Sequence, residues 1–273
     1  MFGISIEETN TLIKAIYSHY QIDLSGYTLN HLRFRIRKIL DKHFLNKTGI
    51  LINRLIDDEV FFDDFLYDIS GGSTEMFRDP DVWLILRNTI LPSISEKSDL
   101  LTIWLPRCVS GDELFSIAIL LEETGLMARS FIHASTLSYR SLEIISSGIF
   151  LKDKMEASIN NYHGSGGMNN FNSYFHLKNN LIERETSLIK NARIKKQSLN
   201  LIGIPGLCDI ILIRNQLLSF KQELKNNILN RVTGALQNGG YLILGEMESL
   251  KDCDISNQFS HIFTKEKIYL KTS

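Results

Sequence analysis

The sequence predicts an α/β protein in which a mostly parallel, doubly wound sheet follows a small all-helical unit. Three observations predict it. Apolar residues recur at helical spacing through the first ninety positions. From Leu100 onward, short and nearly all-apolar segments alternate with helical ones, as in βαβ units. Between the two patterns stands the breaker Gly71-Gly72-Ser73. With 273 residues, the chain has room for one large domain, or for a domain and a small companion.

The elements follow in order. Leu12, Ile13, Ile16 and Tyr17 form an apolar stripe behind Ser5 and Glu8, which are spaced as a capping box. Further helices are expected over Leu29–His43, Ile50–Glu59 and Phe61–Tyr67. Leu101–Leu105 reads as the first strand, Glu113–Glu123 as the helix after it, and Phe131–Thr136 as the second strand with a helix around Arg140–Ser146. Asp209–Ile213 is so apolar that it must be covered on both faces. A helix over Leu217–Leu236, stopped by Gly239-Gly240, leads to strands at Tyr241–Gly245 and Lys267–Leu270. The signal is weak over 150–199, where His163-Gly164-Ser165-Gly166-Gly167 is flanked by aromatics and reads as a lid, a platform or a plain insertion. The expected division is a helical domain at 1–72 and an α/β domain at 73–273 with an insertion around 150–199.

Composition bounds the function. Thirty basic against thirty-one acidic residues give a net charge of −1, which excludes a global field for nucleic acid or an anionic membrane. The segment Met1–Glu8 lacks the basic and apolar regions of a secretory signal, and no run approaches a membrane span. Three widely spaced cysteines (Cys108, Cys208, Cys253) read as reduced core thiols. A cytoplasmic protein without membrane insertion is expected. Seven scattered histidines offer no metal-ligand spacing, so no metal is expected.

In a doubly wound sheet, the first strand-to-helix turn is where a ligand approaches the backbone. Here it reads Pro106-Arg107-Cys108-Val109-Ser110-Gly111-Asp112-Glu113. It is neither a P-loop nor G-x-G-x-x-G, and two carboxylates at the helix start oppose a phosphate. They suit a cationic ligand, or serve the helix dipole alone.

Ser73-Thr74-Glu75-Met76-Phe77-Arg78-Asp79-Pro80 resembles the domain-junction signature of the chemotaxis-receptor methyltransferase (CheR) family. So do Cys108–Ser116, Ile213-Arg214-Asn215, and Asn238-Gly239-Gly240-Tyr241-Leu242 with Glu248-Ser249, all in the family's order. The resemblance implies a helical domain followed by a Rossmann-like S-adenosylmethionine (SAM) methyltransferase domain. It implies SAM as cofactor and methyl transfer to glutamate side chains of a signalling or chemotaxis protein. Carried over residue by residue, Thr74, Phe77, Asp112, Glu113, Thr136, Asn200 and Leu201 would border the cofactor. Arg78 would orient the incoming glutamate, unless Asp79 or another local acid simply pairs with it, and Asn215 would stand at the reacting centre.

The expected helix over Leu29–His43 carries its own signal. Six of the residues from Thr28 to Thr48 are basic and one is acidic; Arg35, Lys38 and Lys42 share a face opposite Leu32, Ile36 and Ile39. The resemblance implies that these cations, with Arg33, dock an acidic, glutamate-rich segment of the partner, the alternative being a solvated basic face; the lack of interleaved aromatics argues against nucleic acid. Four positions depart from the family's pattern. Arg107 replaces a glycine, Thr136 replaces the acid expected at the ribose, Ser219 replaces a tyrosine and Asp112 shortens a glutamate. These departures leave a second function open: a catalytically inactive scaffold that keeps the fold and the docking helix.

Overall fold

The computed structural model describes residues 4–72, 74–198, 200, 201, 203 and 205–272; Ser73, which opens the junction motif, lies outside them, as do Met1–Gly3. Helix α1 (Ile6–Tyr20) starts with the expected box: Ser5 Oγ accepts from Glu8 N at 3.0 Å, and Ser5 N donates to Glu8 Oε2 at 2.8 Å. Helices α2 (Leu29–Lys42), α3 (Thr48–Asp57) and α4 (Glu59–Ile69) follow, with Thr28 and Asp58 capping α2 and α4. A broken helical stretch comes next: α5 (Pro80–Ile85), a π turn (Leu86–Ile90) and α6 (Leu91–Ser95).

The α/β part then runs β1 (Leu101–Leu105), α7 (Asp112–Glu123), β2 (Ser130–Thr136), α8 (Tyr139–Ser147), β3 (Ile149–Phe150), α9 (Met155–Gly164), β4 (Phe175–Lys178), β5 (Leu181–Arg184) and β6 (Ala192–Lys196). It ends with β7 (Cys208–Ile213), α10 (Gln222–Ala235), β8 (Leu236–Leu244), β9 (Phe259–Phe263) and β10 (Ile268–Lys271). The large sheet has the order β6-β2-β1-β7-β8-β10-β9. Its first five strands are parallel; β10 pairs antiparallel with β8, and β9 antiparallel with β10. The chain moves to one side of β1 for β2 and to the other for β7, so the two strand tips diverge at the switch point where such sheets take ligands. Strand β7 is buried at every residue, as its unbroken apolar run requires.

Two apolar cores sandwich the sheet. One joins Leu12, Leu32, Ile36, Phe65 and Leu66 of the helical part to Trp104, Ile211, Ile213 and Leu244 on one sheet face and to Leu229 of α10. The other packs Trp83, Leu86, Phe115 and Leu120 against Ile103, Ile210 and Ile243 on the opposite face. The helical part therefore covers the sheet, and α2 is held over the strand tips.

Two expectations change. The helix expected over Leu217–Leu236 begins only at Gln222. Before it, Leu217–Ser219 is a single 3-10 turn and Phe220 is extended, because Thr28 N donates to Ser219 O and Lys221 N to Gly26 O, both at 2.8 Å. Nor do Gly239-Gly240 stop that helix. It ends at Ala235, and the glycines lie inside β8, where the register against β7 shifts. The weakly patterned stretch 150–199 supplies β6 to the edge of the large sheet, while β3, β5 and β4 form a separate antiparallel sheet.

Candidate functional site

A crevice of about 220 Å³ opens at the tips of β1 and β7, beneath α2. Of the site residues expected from the sequence, it brings together Arg35, Thr74, Arg78, Asp112, Glu113 and Asn215, with Arg107 also on its wall. The others lie elsewhere. Phe77 is fully buried, its ring against Trp83 and Tyr162. Thr136 is buried at the end of β2, Leu201 belongs to the core, and Asn200 lines a different hollow with Asp23 and Lys221. Arg33 donates to Ile4 O, and Lys38 and Lys42 lie farther along α2.

The linker from Gly72 to Asp79 is shaped to present Arg78. Phe77 (φ 52°) and Asp79 (φ 55°) flank it in the left-handed region, which costs non-glycine residues energy and so must be held from outside. Phe77 N donates to Ser116 Oγ at 2.9 Å, and the Arg78 carbonyl accepts from Trp83 Nε1 at 2.9 Å and Arg214 Nη2 at 3.0 Å. Backbone pinned, the Arg78 side chain remains 43% exposed, with Asp79 Oδ1 no nearer than 3.9 Å. Asp79 is engaged instead by Arg214 at 2.6 Å. The guanidinium of Arg78 thus lies on the crevice wall, with Asp79 Oδ1 at ion-pair distance but beyond hydrogen-bond reach.

The two acids at the start of α7 have different fates. Asp112 is saturated: Oδ1 pairs with Arg184 Nη1 at 3.0 Å, while Oδ2 accepts from Thr74 N at 2.9 Å and Ser110 Oγ at 2.5 Å. Glu113 keeps one face on the crevice and meets Arg214 Nη1 at 2.9 Å. Burial pushes the Glu113 carboxyl above its ordinary range, opposed by the Arg214 guanidinium. Burial also lifts the Cys108 thiol on this loop to about 12, with Glu113 and Asp112 adding to the shift, so it stays protonated.

Across the crevice, Asn215 sits at φ 58°, a conformation asparagine tolerates better than most residues. Glu248 fixes it. Its carboxylate accepts from Asn215 N at 2.9 Å, Leu217 N at 2.6 Å and Gly245 N at 2.7 Å, tying the ends of β7 and β8. Gly245 permits the approach, since a Cβ there would lie 2.5 Å from Asn215 Oδ1. Arg107 turns toward the helical part: Nη2 donates to the Tyr27 hydroxyl at 3.2 Å and the guanidinium lies 5.4 Å from the Phe220 ring centroid. Thr136 Oγ1 is buried and has no hydrogen-bond partner among the described residues.

Sequence reasoning missed Arg184, Glu75 and the bracing role of Glu248. Glu75 and Glu248 stood within quoted motifs, so the signal was present for them. For Arg184 there was none: an arginine closing a weakly patterned segment gives no hint that it reaches Asp112.

The family described as "CheR methyltransferase, SAM binding domain" matches residues 72–268. A Pseudomonas putida protein described as "Putative methyltransferase Cher3" is 29% identical over 265 residues, covering 97% of each chain. A chemotaxis protein methyltransferase of Borreliella burgdorferi is 26% identical over 263 residues, covering 91% of this chain and 90% of its own. The chemotaxis protein methyltransferase 1 of Pseudomonas aeruginosa is also 26% identical, over 230 residues that cover 80% of this chain and 81% of its own.

Proposed function

Because the chain belongs to the CheR methyltransferase family, with SAM as its cofactor, we propose that it methylates glutamate side chains of a signalling or chemotaxis protein. The single observation that carries this reading is the crevice at the strand tips. There the exposed Arg78 guanidinium, the Glu113 carboxylate and Asn215 meet beneath the basic α2.

The residues present fit the cofactor. Glu113 and Glu75 on the crevice wall suit its ammonium; the buried Thr136 hydroxyl at the end of β2 is not part of that wall. Arg107, bound to Tyr27, leaves the crevice open. When bound, SAM supplies a methyl group activated on a sulfonium.

The protein's own contribution is alignment. A glutamate is already ionised near pH 7, so no general base is needed. Arg78 offers paired donors that match a carboxylate and fix which oxygen faces the reacting centre. Asn215, braced by Glu248, holds the opposite wall. Arg35 and Lys38 draw in an acidic segment.

The scaffold reading retains one supporting observation. Asp112 is buried and engaged by Arg184, Thr74 and Ser110 rather than turned to the crevice as a free carboxylate. Methyl transfer from radiolabelled SAM to a glutamate-rich helical peptide separates the two. The enzyme reading expects base-labile label on the peptide, reduced roughly ten- to hundredfold by Arg78→Ala while SAM affinity stays near wild type. No label with wild type, despite bound SAM, favours the scaffold.

A further inference from the structure

Behind the cofactor loop lies a second and larger cavity, about 600 Å³. Its apolar wall is Ile144 of α8, Ile149 and Phe150 of β3, and Leu151, with Tyr67 of α4 opposite; Lys42, Asp64 and Arg140 also line it. Burial, with help from Asp112 and Asp68, lifts the Tyr67 hydroxyl to about 12, so this wall stays neutral. Its volume lies within the range of about 300–1,000 Å³ usual for ligand pockets. Ser110 and Asp112 belong to both this pocket and the crevice, so one turn of chain separates them.

On the outside the two are joined by a third hollow of about 400 Å³ along α2. It shares Arg35 and Gly72 with the crevice and Lys42 with the apolar pocket. The three hollows therefore adjoin along α2, with the crevice at one end, cations in the middle and the apolar wall at the other end. The middle cations are unequal. Lys42 pairs with Asp68 at 2.7 Å, and Asp41 is held by Arg37 at 2.8 Å. Arg35 and Lys38 have no carboxylate within ion-pair distance among the described residues. An occupant must therefore be acidic in its middle and apolar at one end.

Resting on the function proposed above, we infer that the apolar cavity is a specificity pocket. It takes a large aliphatic or aromatic side chain of the acidic segment whose glutamate enters the crevice. Arg35 and Lys42 are seven residues apart, about 10 Å along α2, so on a helical substrate the anchor lies about two turns from the methylated position. The pocket thus selects among acidic helices that the cations alone would bind indiscriminately.

Two fluorescein-labelled acidic helical peptides test this by anisotropy with the full chain. Each has a central glutamate; one carries leucine and the other alanine roughly seven residues to either side. The leucine peptide is expected to bind at least about tenfold more tightly, about 1.4 kcal/mol. Filling the pocket with Ile144→Trp removes that preference and leaves affinity for S-adenosylhomocysteine unchanged; Leu151→Asp at the half-exposed rim does the same should the tryptophan variant fold poorly. Equal affinity for both peptides, a preference that survives both substitutions, or binding of neither peptide overturns the inference. Failure to bind S-adenosylhomocysteine alone instead overturns the methyltransferase reading, because the peptide comparison needs no methyl transfer.

Discussion

Arg184 Nη1 lies 3.0 Å from Asp112 Oδ1, and the two side chains are 2% and 3% exposed. The arginine also donates to the carbonyls of Gly148, Ser110 and Ile149, and stacks 4.4 Å from the Phe115 ring centroid. A residue at the end of β5 in the small sheet thus clamps the loop between β1 and α7 and, through Asp112 and Thr74, the linker that presents Arg78. Buried guanidinium and carboxylate are tolerable only together.

Arg184→Gln should therefore destabilise the protein by about 3–5 kcal/mol, since it leaves Asp112 charged and buried. Adding Asp112→Asn should recover part of the loss. Urea unfolding of the two single variants and the double variant checks this. Additive losses would mean that the pair is not coupled.

Gly245→Ala tests the other wall. The added methyl would meet Asn215 Oδ1 at 2.5 Å and Asn215 N at 2.7 Å, so the Asn215 backbone must shift. A misplacement near 1 Å costs about a hundredfold in rate. Methyl transfer should fall by that order with the fold intact by circular dichroism. Unchanged turnover would remove Asn215 from the reacting centre.

His31, on the crevice wall, has a pKa lowered from its ordinary 6.5, chiefly by burial. Between the lowered native value and 6.5 the unfolded chain binds more protons, so stability rises with pH across that window and is lost as pH falls through it. His43, His133 and His261 are shifted the same way, also by burial first. His31→Gln should flatten, without abolishing, the rise of unfolding free energy across that window. An identical slope would mean that His31 is not held neutral.

The departures from the family's pattern give a gain-of-function prediction. Thr136 Oγ1 is buried without a partner among the described residues, and Arg107 spends its guanidinium on Tyr27 and Phe220. Thr136→Asp with Arg107→Gly should tighten SAM binding roughly tenfold or more, the worth of one charged acceptor. Titration calorimetry reads it directly. No gain would mean that the end of β2 does not reach the ligand.

What the sequence disclosed tracks how local the cause is. The Ser5–Glu8 box and the all-apolar β7 are short-range or face-wide patterns, so they were legible. The break before Gln222 was not, because it comes from pairing with the distant turn at Gly26–Thr28. Strand β6 was missed because an edge strand reading Ala-Arg-Ile-Lys-Lys lacks a buried run. At the site, motifs located Thr74, Arg78, Glu113 and Asn215. They could not tell that Asp112 would be consumed by Arg184, since a tertiary contact decides between two equally placed acids.

The claim that the strand-tip crevice is a cofactor site is tested most directly by calorimetric titration of the wild-type protein with S-adenosylhomocysteine. One-to-one binding with a Kd of about micromolar order, weakened about tenfold by Glu113→Gln, is the predicted result. The absence of heat at about millimolar ligand would contradict it.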